Sequence, residues 1–451
     1  MTLPLAPLLL AALAPAPALT REPAPEVPLE APAAAEPAPS DTLAAAPITS
    51  PRPAPSDTLA AAPITSPQPA PSDTLARSRP SPASAADLEA PPPWQVGAFV
   101  DVLYAFNSNL PDNHLFRGHY TAPRTGEPIP NLAGAWILHE PAPGRPYRFE
   151  LALHVGPAAD ALVAGEPTPG GAESRYAGPE TWKNLSRANA GVRLGRGTDL
   201  DAGVFVCPIG FGTFWTRDNW NYTTAWQLNS VPYYLSGGRL TQQLPAGFAL
   251  QAWVVSGWQT LADVNSVPSY LAGLTWTRGT INAQSLLFAG PESQDIALRA
   301  WRVFSNTQVL WDGERVGLGA LVDVGRERLT ALPGAPVAFW MDLQALARVR
   351  PLRAVPGWTL TLRGDAFWDR DAFIFGTRGW LAEGTFTSTL RLWDHIQVRL
   401  EYRYDHATDP AGFFFRGAAQ SPGAPGLARD QHTALLALAG WFETLVGKRR
   451  R

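Results

Sequence analysis

The sequence predicts an all-β fold: a transmembrane antiparallel up-and-down β-barrel of about 16 strands, preceded by a disordered Pro/Ala-rich linker. Two strands and one composition change carry that expectation. Trp358–Trp368 reads WTLTLRGDAFW. Side chains alternate across a strand, so Trp358, Leu360, Leu362, Gly364, Ala366 and Trp368 share one face, and Thr359, Thr361, Arg363, Asp365 and Phe367 the other. A spanning strand puts its apolar face on lipid and aromatic rings at both water interfaces. Ten steps of roughly 3.3 Å, tilted near 45°, project to about 24 Å, close to the apolar band of outer-membrane barrels. Ile396–Asp405 repeats the pattern, with Ile396, Val398, Leu400, Tyr402 and Tyr404 opposed to Gln397, Arg399, Glu401, Arg403 and Asp405. An uninterrupted polar row does not suit an apolar core and is expected to face a wet lumen. At Trp94 the composition then shifts abruptly from Pro/Ala-rich to short alternating segments.

In chain order, residues 1–18 read as a secretory signal, with an apolar run from Leu3 to Leu13 and small residues at Ala14–Ala18 suited to cleavage. Residues 19–93 hold a 16-residue repeat: PAPSDTLAAAPITSP at Pro37–Pro51 and Pro53–Pro67, and PAPSDTLA at Pro69–Ala76. Each unit has too few large apolar groups to bury a core, which implies a semi-extended linker. The barrel is expected over 94–442. Its strands are read at Val96–Phe106, Leu132–Glu140, Tyr147–Val155, Ser186–Leu194, Leu200–Val206, Leu235–Gln243, Phe248–Gly257 and Tyr270–Thr277. The second half follows at Thr280–Phe288, Trp301–Trp311, Arg315–Val324, Val337–Val349, Trp358–Trp368, Trp380–Leu392, Ile396–Asp405 and Gln431–Phe442. Each alternates at period two and is bounded by Gly, Pro, Asn or Asp. Pro245-Ala246-Gly247, Arg278-Gly279, Asp312-Gly313-Glu314 and Asp394-His395 are tight links, whereas 106–132, 155–186 and 405–431 are long. Short links on one side and long ones on the other are the habit of outer-membrane barrels. Residues 443–451 end the chain as a basic tail.

The 451 residues carry a net charge of −3, which gives no reason to expect nucleic acid. No apolar run beyond the leader is long enough for a membrane helix. A chain without such a helix can still span a bilayer as a closed barrel, because every backbone polar group is then paired. Cys207 is the only cysteine, so no disulfide framework exists, and in an apolar strand it reads as a small buried hydrophobe. The seven histidines (114, 119, 139, 154, 395, 406, 432) show no metal spacing, and no nucleophile elbow or phosphate loop is present. No cofactor or metal is expected.

The segment Cys207–Tyr234 interrupts the strand rhythm with Pro208-Ile209-Gly210 followed by Asn219-Trp220-Asn221-Tyr222. With Val96–Asp101, Val255-Ser256-Gly257-Trp258, Gly290-Pro291-Glu292, Leu362–Asp365, Asp369-Arg370-Asp371 and Leu400–Arg403, in that order, the chain resembles the OmpL-like β-barrel porin family of Gram-negative outer membranes over about residues 95–442. The resemblance implies an outer-membrane channel and names no solute. The repeat-bearing linker is not part of that pattern. Family members also tend to end on an aromatic residue read by the barrel-assembly machinery; Phe442 takes that place here, yet Glu443–Arg451 continues.

The leading expectation is therefore a passive porin for small hydrophilic solutes, narrowed by Phe211–Tyr234 folded inward. Arg217, Asp218, Asn219 and Asn221 are expected at the constriction, and Arg148, Glu150, Arg363, Asp365, Arg399, Glu401 and Arg403 on the pore wall. Trp215, Trp220, Tyr222 and Trp226 would either stack on a sugar-like solute or pack the segment against the wall, the second being the plainer expectation. Trp358, Trp368, Tyr402, Tyr404 and Phe442 are expected at the lipid interfaces. Outer-membrane lipid, the assembly machinery and a possible homo-oligomer are the expected partners, with the linker and both barrel ends on the periplasmic side. An outer-membrane barrel enzyme would need the nucleophile motif that is missing, and a soluble all-β binding protein such as a propeller would need a repeat of about forty residues that 94–442 lacks.

Overall fold

The computed structural model describes residues 94–142, 144–164, 166, 178–293, 300–330, 332–421 and 424–446. The leader, the linker and the basic run Lys448–Arg451 lie outside them. Eighteen strands follow one another: β1 (Trp94–Asn107), β2 (Pro128–His139), β3 (Tyr147–Val155), β4 (Leu185–Gly195), β5 (Thr198–Val206), β6 (Tyr234–Gln243), β7 (Phe248–Val255), β8 (Ser269–Arg278) and β9 (Ile281–Pro291). The rest are β10 (Trp301–Asp312), β11 (Val316–Arg328), β12 (Val337–Val349), β13 (Trp358–Asp369), β14 (Gly379–Leu392), β15 (Ile396–Ala407), β16 (Phe414–Ser421), β17 (Ala424–Ala428) and β18 (Asp430–Val446).

All but β16 and β17 join one closed sheet in which each strand pairs with its sequence neighbours, β15 meets β18, and β18 returns to β1. Closure is antiparallel, from Trp94 opposite Val446 to Asn107 opposite Thr433. The sixteen expected strands are therefore all present, and no edge is left open within the barrel sheet. Two differences stand out. A separate hairpin, β16–β17, occupies the link between β15 and β18, where the reading places no strand; it packs by Phe414 rather than by alternation across a sheet. The last strand also runs four residues past Phe442 to Val446, because β1 begins at Trp94 and offers those residues a partner.

The side-chain faces follow the period-two reading. Leu362 and Leu400 are 60% and 58% exposed on the outer face, while Arg363 and Arg399 beside them are buried on the inner face. Trp368 stacks on Trp380 with centroids 5.9 Å apart near one end of β13, and Trp358 donates its indole N–H to the Ser388 hydroxyl (3.0 Å) at the other. Tyr404 donates to Asp430 at 2.6 Å, and the Tyr402 hydroxyl meets the His432 ring at 2.7 Å. Aromatic groups with one polar anchor suit a lipid–water boundary. Phe442 sits on the same outer face, opposite Ala98.

Most links at one end are short and most at the other are long. The β4–β5, β6–β7, β8–β9, β10–β11 and β14–β15 turns lie at the end that also holds Trp94 and Val446. The longer links lie at the opposite end, including 108–127, 256–268 and 408–429. In the β6–β7 turn, Gly247 has φ +86°, and a Cβ there would come within 2.1 Å of the Thr277 carbonyl, so only glycine closes this turn without strain. Among the described residues no helix is long and apolar enough to cross a membrane.

Candidate functional site

The link between β5 and β6, residues 207–233, leaves the wall and enters the barrel. Pro208 begins it with its carbonyl accepting from the Gln284 amide on β9 (2.6 Å). Gly210 exchanges hydrogen bonds with the Gln308 amide on β10, accepting at 3.2 Å and donating at 2.9 Å. Its φ of +94° turns the chain inward, and a Cβ would meet the Gln227 carbonyl oxygen at 2.6 Å. The Pro-Ile-Gly motif thus works as an entry hinge braced by two wall glutamines.

Farther in, Asn219 closes the segment on itself, accepting from the Thr213 N–H (2.7 Å) and donating to the Thr213 carbonyl (2.8 Å). Asn221 donates to Thr387 on β14 (2.7 Å). Tyr222 donates its hydroxyl to Asp101 on β1 (2.6 Å), and Thr216 donates to the same carboxylate oxygen (2.7 Å). The Asn-Trp-Asn-Tyr motif is therefore a docking device that ties the segment to β1 and β14, three strands apart around the barrel.

The charged rows of the wall answer it. Glu401 accepts from the backbone N–H groups of Tyr222 and Thr223, from the Thr223 hydroxyl (2.6 Å) and from Thr387 (2.7 Å). Arg399 donates to the carbonyls of Thr216 (2.6 Å), Arg217 (3.2 Å) and Asn219. Arg363 and Arg403 donate to the carbonyls of Thr223 and Thr224, each at 2.6 Å. Asp365 accepts from the Trp226 N–H (2.8 Å), and Asp323 on β11 from the Gln227 amide (2.6 Å). These residues are 0–8% exposed. The expected wet row is thus covered at this level. Segment backbone donors and acceptors take the places water would hold, which is how a buried charged row avoids its desolvation cost.

Ion pairs on the wall run mostly between neighbouring strands. Arg148 pairs with Glu140 (2.9 Å), and Glu150 pairs with Arg187 on the next strand (3.0 Å). Arg363 pairs with Glu383 across β13–β14 (2.5 Å), not with Asp365. These partners stand diagonally across the ladder, Glu383 opposite Asp365 and Arg187 opposite Ala152, within reach of long side chains. Arg403 and Asp405 are the exception, paired along β15 at 2.7 Å.

The inserted segment divides the lumen unequally. Beside Phe211, Asn219, Trp220 and Asn221 it leaves only about 40 Å³ against Leu310, Gln344, Leu346 and Arg363. Toward the short-turn end lies a polar cavity of about 480 Å³ bordered by Arg217, Asp218, Arg348, Arg350, Arg391 and Arg399. Arg217 and Asp218 thus line the wider chamber, and Asn219 and Asn221 border the narrow gap. The Arg217 guanidinium is surrounded by rings, 4.5 Å from the Trp136 centroid, 5.3 Å from Phe99 and 5.8 Å from Trp441, with Asp218 at 3.2 Å. Trp215, Tyr222 and Trp226 are at most 3% exposed and pack the segment against the wall; Trp220 is half-buried under Arg348, 3.9 Å from ring to guanidinium carbon.

Outside the strands, Glu292 latches two long links by accepting from the Trp258 N–H (2.7 Å) and the Ser269 hydroxyl (2.5 Å). Burial raises its carboxyl above the usual range, against the pull of Arg302. Residues the sequence reading did not single out include Asp101, Asp323, Gln284, Gln308, Arg348, Arg350 and Arg391. Their signal was position: apart from Arg350, which follows β12, they are polar side chains on the inner face of alternating strands. Among the described residues no cluster could hold a metal ion.

Comparison with known proteins fits this architecture. The outer-membrane channel DcaP of Acinetobacter baumannii superposes with a TM-score of 0.52 at 10% identity, covering 77% of this chain and 97% of that one. Salmonella typhi OmpF, solved with daunomycin, gives 0.51 at 12% identity with 77% and 97% coverage. At such identity the likeness speaks for the fold. No curated protein matches in sequence. The family described as "Putative beta-barrel porin-2, OmpL-like" matches residues 93–442, and the chain belongs to that family.

Proposed function

We propose that this porin forms an outer-membrane channel for passive diffusion of small hydrophilic solutes, with the inserted segment 207–233 setting its size limit. The carrying observation is that the segment is hydrogen-bonded to at least β1, β9, β10, β11, β13, β14 and β15, leaving a gap of about 40 Å³ beside Trp220. A gap of that volume holds only a few waters, so passage of a larger solute requires the segment to shift against Leu310 and Leu346. The narrowing and the charged lining together decide what passes. Orientation follows from link length: short turns and both barrel ends face the periplasm and long links face outward. The outer face then meets outer-membrane lipid, and β18 is the strand offered to the barrel-assembly machinery. A lipid hydrolase would need a nucleophile paired to a base, and no such pair is formed among the described residues around these cavities. Proteoliposome swelling in neutral sugars of increasing size tests the reading. Entry of glycerol with exclusion of disaccharides is expected; equal entry of both would remove the segment from the size limit.

A further inference from the structure

The cavity of about 480 Å³ at the short-turn end is bordered by five arginines, 217, 348, 350, 391 and 399, and by two carboxylates, Asp218 and Asp312. The carboxylates are already shared. Asp312 pairs with Arg348 at 2.6 Å and with Arg350 at 3.4 Å, and Asp218 pairs with Arg217 at 3.2 Å. Arg399 is spent on backbone carbonyls, and Arg391 makes no ion pair among the described residues, lying 5.5 Å from the Trp441 ring. Glu443 also acts on Arg217, and Glu401 and Asp101 act on Arg399, so those two arginines are compensated and the excess positive charge is left in two places.

One is the end of β12, with Arg348 and Arg350. The other is the β14–β15 wall, where Arg391 stands opposite Gln397 and Thr389 opposite Arg399. Between them runs β13, whose Thr359 pairs with Thr389. Two strand spacings put the poles about 10 Å apart. Thr389 is 6% exposed and its hydroxyl, itself buried, has no partner among the described residues, so turning that side chain offers an occupant of the second pole an unused hydrogen-bonding group beside Arg391. Guanidinium groups bind carboxylate and phosphate oxygens through paired N–H donors.

We propose that this vestibule binds small organic dianions, one oxyanion group at Arg348 and Arg350 and the other at Arg391 and Thr389. The inference rests on the channel reading and supplies its solute class: dianions are gathered at the short-turn mouth before they meet the narrow gap. Monoanions engage one pole and are held less well.

The test uses the full chain in planar bilayers, with succinate as the dianion and acetate as the monoanion. Chloride current is expected to fall with millimolar succinate and to need at least tenfold more acetate for the same block. Arg391→Gln should raise the half-blocking succinate concentration about tenfold, while Arg326→Gln, exposed on the outer face at the far end, should not. A conducting channel in which succinate and acetate act alike, or in which Arg391→Gln changes nothing, overturns the site. Calorimetry with succinate on the detergent-folded protein separates this from the channel reading. Binding weakened by Arg391→Gln in a protein that never conducts keeps the site and removes the channel; conductance without any succinate binding does the reverse.

Discussion

Glu401 is one of the wall residues that seat the inserted segment, and replacing it by alanine gives a worked case. It is 4% exposed and accepts from two consecutive backbone N–H groups of the segment and one segment hydroxyl, besides Thr387 on its own wall. A hydrogen bond to an ionised acceptor contributes about 1.5–3 kcal/mol net. Three such bonds at the lower end come to about 4–5 kcal/mol, and water entering the vacated space recovers roughly a third, leaving about 3 kcal/mol of lost docking. Arg363, Arg399 and Arg403 still hold the neighbouring carbonyls, so the barrel stays closed and the tip opens locally. Hydrogen exchange read by mass spectrometry on the refolded protein measures this. A loss of about 3 kcal/mol speeds exchange at Tyr222 and Thr223 by roughly a hundredfold, with exchange in β15 unchanged. Glu401→Gln keeps an acceptor without the charge and should fall between. Unchanged protection at Tyr222 and Thr223 in a folded Glu401→Ala barrel would refute the assignment of these bonds.

Three other outcomes follow from the same geometry. Leu362→Arg, on the lipid face near the middle of β13, should cost about 2–4 kcal/mol in reversible unfolding from lipid, whereas Thr359→Arg, beside the polar cavity, should cost far less; equal losses would reject the facing of β13. Deleting Leu19–Pro93 behind the leader should leave single-channel conductance unchanged, since repeats without a core cannot support the barrel, and failure to insert would instead assign the linker a role in biogenesis. Arg217→Ala should move the reversal potential in a salt gradient toward cation preference and Asp218→Ala toward anion preference. Both flank the same chamber, where charges are weakly screened, so shifts of the same sign would remove them from the ion path.

The barrel was legible because lipid imposes a strict rule on each strand. Period-two alternation with an apolar outer face is visible in WTLTLRGDAFW without any knowledge of neighbours, and Leu362 and Arg363 sit on the faces it dictates. The inserted segment was legible as an interruption, and its motifs marked where it docks. Its path was not, because Gln284, Asp323 and Thr387 meet it from strands far along the chain, and nothing local in their sequence distinguishes a docking residue from a pore-lining one. The same reason explains the ion pairs. Arg148 meets Glu140 and Glu150 meets Arg187 from neighbouring parts of the wall, which the local pattern does not reveal. Hairpin β16–β17 escaped the reading because Phe413, Phe414 and Phe415 form an apolar run without alternation, and the first two are buried against Trp226.

The most direct test is the single-channel conductance of the wild type beside a variant lacking Trp215–Thr224, both verified as heat-modifiable barrels. That deletion removes the Asn-Trp-Asn-Tyr docking motif and the residues held by Arg399 and Glu401, while the Pro-Ile-Gly hinge and the helix Trp226–Ser230 remain. If the segment narrows the channel, the variant conducts several times more current than the wild type and admits larger sugars. Equal conductance and equal size exclusion in a folded barrel would contradict the account.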